Sequence, residues 1–334
     1  MKSSHRLPRV ATLGTVDASP VTAQHVSVVV CTRDRPSMLE GALDALVHAL
    51  PDAAEVIVVD SGSISPQTAH VAQRFGVRYV RSDVPGLSIA RNLGLHSSTR
   101  DIVIFTDDDC LVAADFLLPL IQPFSSPLVG AATGHLRDIA DTTELSPSRS
   151  VQTLTAVLDG LDAGHGALMA FRRSVITELG GFDPILGAGR HFGGAEDMDA
   201  LCRILDAKLQ VIRVPDSVVK HVFTRDDEDF LRLNRNYGLG MGAMCSKWWR
   251  TSRAEGRRLA ARVARRAIAR YFRRIRASRS RRGQAAYLTG LLAGVRESRR
   301  IPVNGLVFVD ENPPAAVTLS PSPTSSKPER RLRS

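Results

Sequence analysis

Three adjacent carboxylates, Asp107, Asp108 and Asp109, directly follow the run Ile102-Val103-Ile104-Phe105-Thr106. Like charges set side by side at the end of a buried strand disfavour one another's ionised form, so the arrangement is costly unless a cation offsets it. A hard divalent ion, Mg2+ or Mn2+, is the natural partner, because it can hold a diphosphate by its oxygens. The alternative is a solvated acidic turn. A second cluster, Glu196-Asp197 with Asp199, comes after Gly187, Gly189, Gly193 and Gly194 and opens a helix running from Met198 to Leu205. Its carboxylates either cap that helix and complement its dipole, or supply a general base for an acceptor hydroxyl. The glycines mark a flexible or closely approached loop. His221, 24 residues beyond Asp197, lies in the strand-like Val218-Val219-Lys220-His221-Val222-Phe223. Spacing alone does not separate a structural imidazole from a metal ligand there.

The elements that must position these residues alternate along the chain. Val26 to Cys31 is a β-branched run followed by a polar turn and a helical pattern from Met38 to Leu50. Glu55 to Asp60 is a second strand, followed by a helix near Gln67 to Phe75, a short strand from Val77 to Val80, a helix from Leu87 to Leu95 and a strand from Asp101 to Thr106. Continuous apolar strands alternating with helices predict an α/β fold whose central sheet is mostly parallel and covered on both faces. In such sheets ligands bind beyond the carboxyl ends of the strands. Three strands deliver Thr32-Arg33, Asp60-Ser61 and Asp107 to Asp109 to that edge. Between Gly130 and Gly160 no motif is legible.

The chain has 334 residues, 43% hydrophobic and 23% charged, which predicts a globular protein with a substantial core. No uncharged run is long enough for a membrane-spanning helix. Cys31, Cys110, Cys202 and Cys245 are widely spaced and form no CxxC pair, so a zinc cluster or disulfide framework is not expected and a reducing compartment is. The first 24 residues lack the apolar stretch of a signal peptide and read as a loose, unexported tail.

The net charge of +10 is unevenly spread. From Lys247 to Arg300 there are 18 basic residues against Glu255 and Glu297, while the remainder holds 26 basic and 32 acidic. Leu259, Val263, Ala267, Ile268, Tyr271, Phe272 and Ile275 recur at helical spacing between arginines, predicting a basic amphipathic helix. Such a helix either packs on the body, lies on an anionic membrane surface, or binds nucleic acid; the aromatic apolar stripe favours the membrane over the nucleic acid. Trp248 and Trp249 suit a membrane interface or ordinary packing. Gly283 to Val295 reads as a packed helix, and the Pro- and Ser-rich end beyond Asp310 as disordered.

Taken together, VSVVVCTRDRP (26–36), EVIVVDSGS (55–63), GLSIARNLGL (86–95), DIVIFTDDDC (101–110) and GGFDPILGAGRHFGGAEDMDALCRI (180–204), with His221 following, resemble the family 2 glycosyltransferases of the GT-A fold. The resemblance implies a nucleotide-diphospho-sugar donor, with UDP the first expectation, a divalent metal, Mn2+ or Mg2+, and inversion by single displacement. It implies that Thr32, Arg33, Asp60, Ser61 and Gly62 line the nucleotide pocket, with Arg91 and Asn92 beside the diphosphate. Asp107 and Asp109 would face the metal, joined by His221, and Asp108 the ribose or donor sugar. Asp197 would be the base, with Glu196 and Gly194 positioning acceptor or donor sugar. The acceptor hydroxyl would belong to a glycan, a lipid-linked molecule or a small molecule. The domain expectation is a tail over residues 1–24, the GT-A domain over 25–245, the basic helical extension over 246–305 and a disordered tail over 306–334. Residues 255–282 would meet an anionic membrane, placing a cytoplasmic enzyme peripherally on the inner face of the plasma membrane. A silent sugar-nucleotide sensor and a nucleic-acid-binding protein using the basic helix are the rival readings.

Overall fold

The computed structural model describes residues 20–139, 150–222, 227–273 and 278–319. Its elements are β1 (Val26–Thr32), α1 (Pro36–Ala49), β2 (Glu55–Ser61), α2 (Gln67–Arg74), β3 (Arg78–Ser82), α3 (Leu87–Ser97), β4 (Ile102–Asp107), β5 (Cys110–Val112), α4 (Leu117–Ile121) and β6 (Val129–Asp138). There follow β7 (Gln152–Leu154), β8 (Leu168–Arg172), α5 (Arg173–Glu178), α6 (Glu196–Asp206), β9 (Gln210–His221), α7 (Asp227–Thr251), α8 (Arg253–Arg273), α9 (Ser278–Ser298), β10 (Val303–Asn304) and β11 (Val307–Phe308).

The central sheet runs β3-β2-β1-β4-β8-β6-β9-β5, with β7 also on β9. As the alternating pattern predicts, β3, β2, β1 and β4 are parallel. Beyond β4 the sheet becomes mixed: β8 pairs antiparallel with both β4 and β6, whereas β6 and β9 run parallel. The expectation of a mostly parallel sheet therefore describes the first half. β6 was invisible in sequence because it is built on Gly130, Ala131, Ala132 and Gly134, residues with weak strand preference that take strand form here only through their neighbours.

Alternation along β1 sends Val28 and Val30 to one face and Val29 and Cys31 to the other. The first face packs under α1 and α4 through Leu39, Leu43, Leu46, Leu117 and Leu120. The second packs under α3 and α6 around Phe105, Phe171 and Phe182, whose rings meet edge to face at 5.1 to 6.1 Å between centroids. Both faces are thus dry, as uninterrupted apolar strands require.

The expected boundary at residue 246 falls inside α7, which runs unbroken from Asp227 to Thr251. α7 and α9 lie backbone to backbone: a Cβ on Gly238 would sit 2.1 Å from the Tyr287 carbonyl oxygen, and one on Gly290 2.1 Å from that of Arg235. α8 lays Leu259 and Val263 against a third apolar cluster that includes Leu239, Met244 and Trp248, and its Ala267 is buried as well. The predicted stripe divides here: these three residues are buried, while Ile268 and Phe272 are exposed; Ile275 lies outside the described residues. Among the described residues no helix is long and apolar enough to cross a membrane.

Trp248 does not reach a membrane interface. It is fully buried, and its Nε1–H donates to Asp199 Oδ1 at 3.0 Å. Trp249 is half exposed. Lys247 Nζ, also fully buried, lies 2.6 Å from Asp183 Oδ2 and 2.9 Å from Asp199 Oδ1, and Arg203 Nε donates to Asp199 Oδ2 at 2.9 Å. Phe308 N–H donates to Asp183 at 3.0 Å. Buried charges persist only when paired in this way, so the network pins α7 and the β10–β11 hairpin to α6.

Part of the expected disordered tail over residues 306–334 pairs with the body of the protein. Val317 N–H donates to the Asp83 carbonyl at 2.8 Å, and Arg81 Nη2 donates to the Val317 carbonyl at 2.9 Å. A short backbone pairing of this kind leaves no periodic signal in sequence. The expected tails over residues 1–19 and 320–334 lie outside the described residues.

Candidate active site

The carboxyl ends of β1, β2 and β4 open onto two adjoining cavities that share Leu87, Asp107, Asp109 and Ala188. The smaller, of about 310 Å3, is lined by Thr32, Arg33, Arg35, Ser61, Gly86, Asp108 and Gly189. The larger, of about 470 Å3, is lined by Arg91, Gly194, Glu196, Asp197 and His221 and is walled by α7, α8 and α9.

At the smaller cavity, Thr32 Oγ1 donates to Asp108 Oδ2 at 2.7 Å. Arg35 Nη1 donates to Asp108 Oδ1 and Asp109 Oδ2, each at 3.2 Å. Burial pushes the Asp108 carboxyl up to about 6 even against these two donors. Asp107 is raised as well, first by burial and then by Asp109 and Asp197, with Arg91 opposing. Carboxylates held above their ordinary range gain the most from a cation placed among them.

Strand pairing completes this cluster. β5 and β9 run antiparallel with Cys110 opposite His221, and Val222 N–H donates to the Asp109 carbonyl at 3.0 Å. The result sets His221 Nε2 3.5 Å from Asp109 Oδ2. Asp107, Asp109 and Cys110 offer ligand atoms within 4.8 Å of one another. Burial pushes the Cys110 thiol far up, with Asp107 and Asp109 adding to the effect, so it stays protonated and is a poor ligand. Two carboxylates and an imidazole fit Mn2+ or Mg2+.

Arg91 ties this cluster to the second acidic pair. From α3, with its side chain buried, it donates through Nη1 to Glu196 Oε1 at 3.0 Å and through Nη2 to Asp107 Oδ1 at 3.4 Å and the Gly166 carbonyl at 3.2 Å. Burial opposes its charge, and Glu196 and Asp107 more than offset that. Burial and neighbouring Asp197 push the Glu196 carboxyl up to about 7 against the pull of Arg91. Asp197 Oδ2 accepts from Gly166 N–H at 3.0 Å and Oδ1 from Met198 N–H at 2.7 Å, fixing the carboxylate at the head of α6. The preceding glycine loop is closely approached: a Cβ on Gly194 would meet Tyr237 Cδ1 at 2.9 Å.

Three expected site residues lie behind the walls. Asp60 is fully buried; Oδ1 accepts from Ser63 N–H at 2.7 Å, and Oδ2 from the Tyr79 hydroxyl at 2.8 Å and Arg81 Nη1 at 3.4 Å. Gly62, at φ +74°, turns away toward the Asp83 carbonyl. Asn92 is spent on the Phe182 backbone, donating to its carbonyl and accepting from its N–H, both at 2.7 Å. None of the three lines either cavity. Conversely, Arg35, Tyr237, Met241, Arg266, Arg270 and Tyr287 line the cavities and were not expected to. The glycines at 238, 240 and 242 of α7 and at 290 and 294 of α9 were the available signal that these helices pack closely.

Residues 27–180 match the family model for Glycosyl transferase family 2. This segment is a glycosyltransferase family 2 domain. This glycosyltransferase is 25% identical over 249 residues to the O-antigen chain rhamnosyltransferase RfbN of Salmonella typhimurium, covering 67% of this chain and 74% of RfbN. It is 31% identical over 125 residues to the succinoglycan biosynthesis protein ExoM of Rhizobium meliloti, covering 35% of this chain and 40% of ExoM. A mannosyltransferase of Pyrobaculum calidifontis, solved in complex with GDP-Man and Mn2+, superposes with a TM-score of 0.58 at 21% identity, over 86% of this chain and 92% of that chain. The glycosyltransferase therefore has a GT-A type fold, a mixed central sheet flanked by helices.

Proposed function

We propose that this glycosyltransferase moves a sugar from a nucleotide-diphospho-sugar, a UDP-sugar in the first instance, to an acceptor hydroxyl by a single metal-assisted displacement that inverts the anomeric carbon. One observation carries the reading: Arg91 spans from Asp107 to Glu196, so the metal-holding and the base-bearing carboxylates face one shared space.

Thr32, Arg33, Ser61 and Asp108 bind the nucleotide part of the donor in the smaller cavity. Asp60 and Asn92 act behind the wall, Asp60 by holding the turn that presents Ser61 and Asn92 by holding Phe182 beneath Arg91. Asp107, Asp109 and His221 would hold the divalent cation, Mn2+ or Mg2+. When bound, that ion supplies Lewis-acid stabilisation of the departing diphosphate. Asp197 takes the proton from the acceptor hydroxyl, with the Gly166 and Met198 N–H groups keeping its carboxylate aimed. Glu196 and Gly194 shape the space beside it. A base on one side and a leaving group on the other need no covalent sugar intermediate, hence inversion. The 187–194 loop excludes water that would hydrolyse the donor.

The acceptor belongs to a glycan or a lipid-linked molecule, in line with the O-antigen and succinoglycan roles named for RfbN and ExoM. The exposed Ile268 and Phe272, set among the arginines of α8, suit an anionic membrane surface, so we place the enzyme in the cytoplasm, peripheral on the inner face of the plasma membrane.

The test is thermal stabilisation by UDP-, GDP-, dTDP- and CDP-sugars with Mn2+, Mg2+ or EDTA, followed by transfer assays on Asp197→Asn. A donor at 100 times its Kd stabilises by about 2.7 kcal/mol, and only with metal. Asp197→Asn keeps that stabilisation and loses about 100-fold or more in transfer. Transfer at the unaltered rate in this variant removes Asp197 as base. No metal-dependent response to any nucleotide sugar overturns the reading.

A further inference from the structure

We infer that the larger cavity takes an amphiphilic acceptor, one carrying an anionic group beside an apolar portion, and that Arg270 recognises the anion. The inference rests on the glycosyl-transfer reading and narrows its acceptor.

The floor of this cavity is anionic. Asp107, Asp109, Glu196 and Asp197 all line it, with the buried Arg91 beneath them. The part of its lining supplied by the helical extension has the opposite character, with Tyr237 and Met241 of α7, Val263 of α8 and Tyr287 of α9. A sugar hydroxyl can be deprotonated at the floor and a sugar face can stack on a tyrosine, but a compact polyol leaves Met241, Val263 and Ala267 without an apolar partner. An apolar portion attached to the acceptor does, and burying it there gains roughly 25 cal/mol per Å2 of apolar surface removed from water.

Two arginines of α8 interrupt that lining, and their situations differ. Arg266 forms a two-point pair with Asp162, through Nη1 to Oδ1 at 2.7 Å and Nη2 to Oδ2. Its charge is already answered. Arg270, one turn further along, engages no carboxylate among the described residues while lining the same cavity. Its helix is held in place by the buried Leu259, Val263 and Ala267, so the guanidinium projects from a rigid base. A planar guanidinium binds phosphate or carboxylate in two-point fashion. An anionic acceptor approaching four carboxylates also needs such a cation on its outer side, and Arg270 supplies it.

The experiment is calorimetric titration of the full chain with three probes: octyl phosphate, uncharged octyl glucoside and inorganic phosphate. Octyl phosphate is expected to bind at least about tenfold more tightly than either of the others, a difference of about 1.4 kcal/mol. Arg270→Gln brings octyl phosphate to within about threefold of octyl glucoside, whereas Arg265→Gln, an exposed arginine of the same helix outside the cavity, keeps the tenfold preference. Equal binding of octyl glucoside, or an unchanged preference in Arg270→Gln, overturns the inference. So does an equal loss in Arg265→Gln, which would report a diffuse basic surface. Inorganic phosphate binding as tightly as octyl phosphate also overturns it, since the site would then hold a free anion. Nucleotide-sugar binding by the unaltered protein, measured alongside, separates the two readings. Its presence without the anionic preference defeats this inference alone, and its absence defeats the transfer reading.

Discussion

His221 Nε2 stands 3.5 Å from Asp109 Oδ2, although 112 residues separate the two in sequence, because β9 returns antiparallel beside β5 and sets His221 opposite Cys110. A strand register, which a shift of one residue would reverse, thus places an imidazole among the carboxylates at the end of β4.

His221→Ala is expected to lower metal affinity about 10- to 100-fold while leaving the fold intact, since the side chain is partly exposed. An Mn2+ titration read by nucleotide-sugar stabilisation measures it. An unchanged metal requirement would make His221 a bystander.

Arg91→Met leaves Glu196 and Asp107 without their shared cation, and breaking a buried pair by removing one partner costs about 3–5 kcal/mol. Urea unfolding should report a loss of that size. Arg91→Lys keeps the charge but cannot span Glu196, Asp107 and the Gly166 carbonyl together, so its transfer rate is expected to fall even where stability partly recovers. Full activity in Arg91→Lys would show that charge alone matters.

Glu196 carries a carboxyl pushed from 4.5 up to about 7 by burial and Asp197. Its folded state therefore favours the protonated form, and the stability this contributes is complete below about pH 4.5 and is lost as pH rises through 7. In EDTA, the Tm of the unaltered protein should fall between pH 5 and pH 8 more steeply than that of Glu196→Gln, in which this group cannot titrate. Parallel profiles would show that Glu196 titrates normally.

Lys247→Met removes the ammonium that Asp183 and Asp199 share in the interior. A loss of about 3–5 kcal/mol is expected in denaturant unfolding, with part of it restored by adding Asp183→Asn. A change under 1 kcal/mol would mean that water reaches the pair.

The parallel half of the sheet was legible because β1, β2 and β4 carry unbroken apolar runs that only a two-sided sheet can bury, and each strand ends in a polar residue that lines a cavity, Thr32, Ser61 and Asp107. The second half was not. β6 is written in glycine and alanine, and β7 and β8 are short, so their strand character comes from partners instead of pattern. Asp60 and Asn92 illustrate a second limit. The strand pattern brought Asp60 to the functional edge and the family resemblance set Asn92 beside the diphosphate, but hydrogen bonds from Ser63, Tyr79 and Arg81 to one, and the Phe182 backbone around the other, keep both out of the cavities.

By itself the sequence determined the chemistry available at the sheet edge, namely an acidic triplet, a second acidic pair behind a glycine loop, and a basic helix, since residue types and local periodicity are properties of the chain alone. Tertiary structure alone decided which of these share a space. Register carried His221 to Asp109, the buried Arg91 joined Asp107 to Glu196, and the close packing of α7 on α9 with α8 beside them placed Arg270 on the same cavity as Asp197. Each depends on contacts between segments tens to hundreds of residues apart, and local pattern holds no record of them.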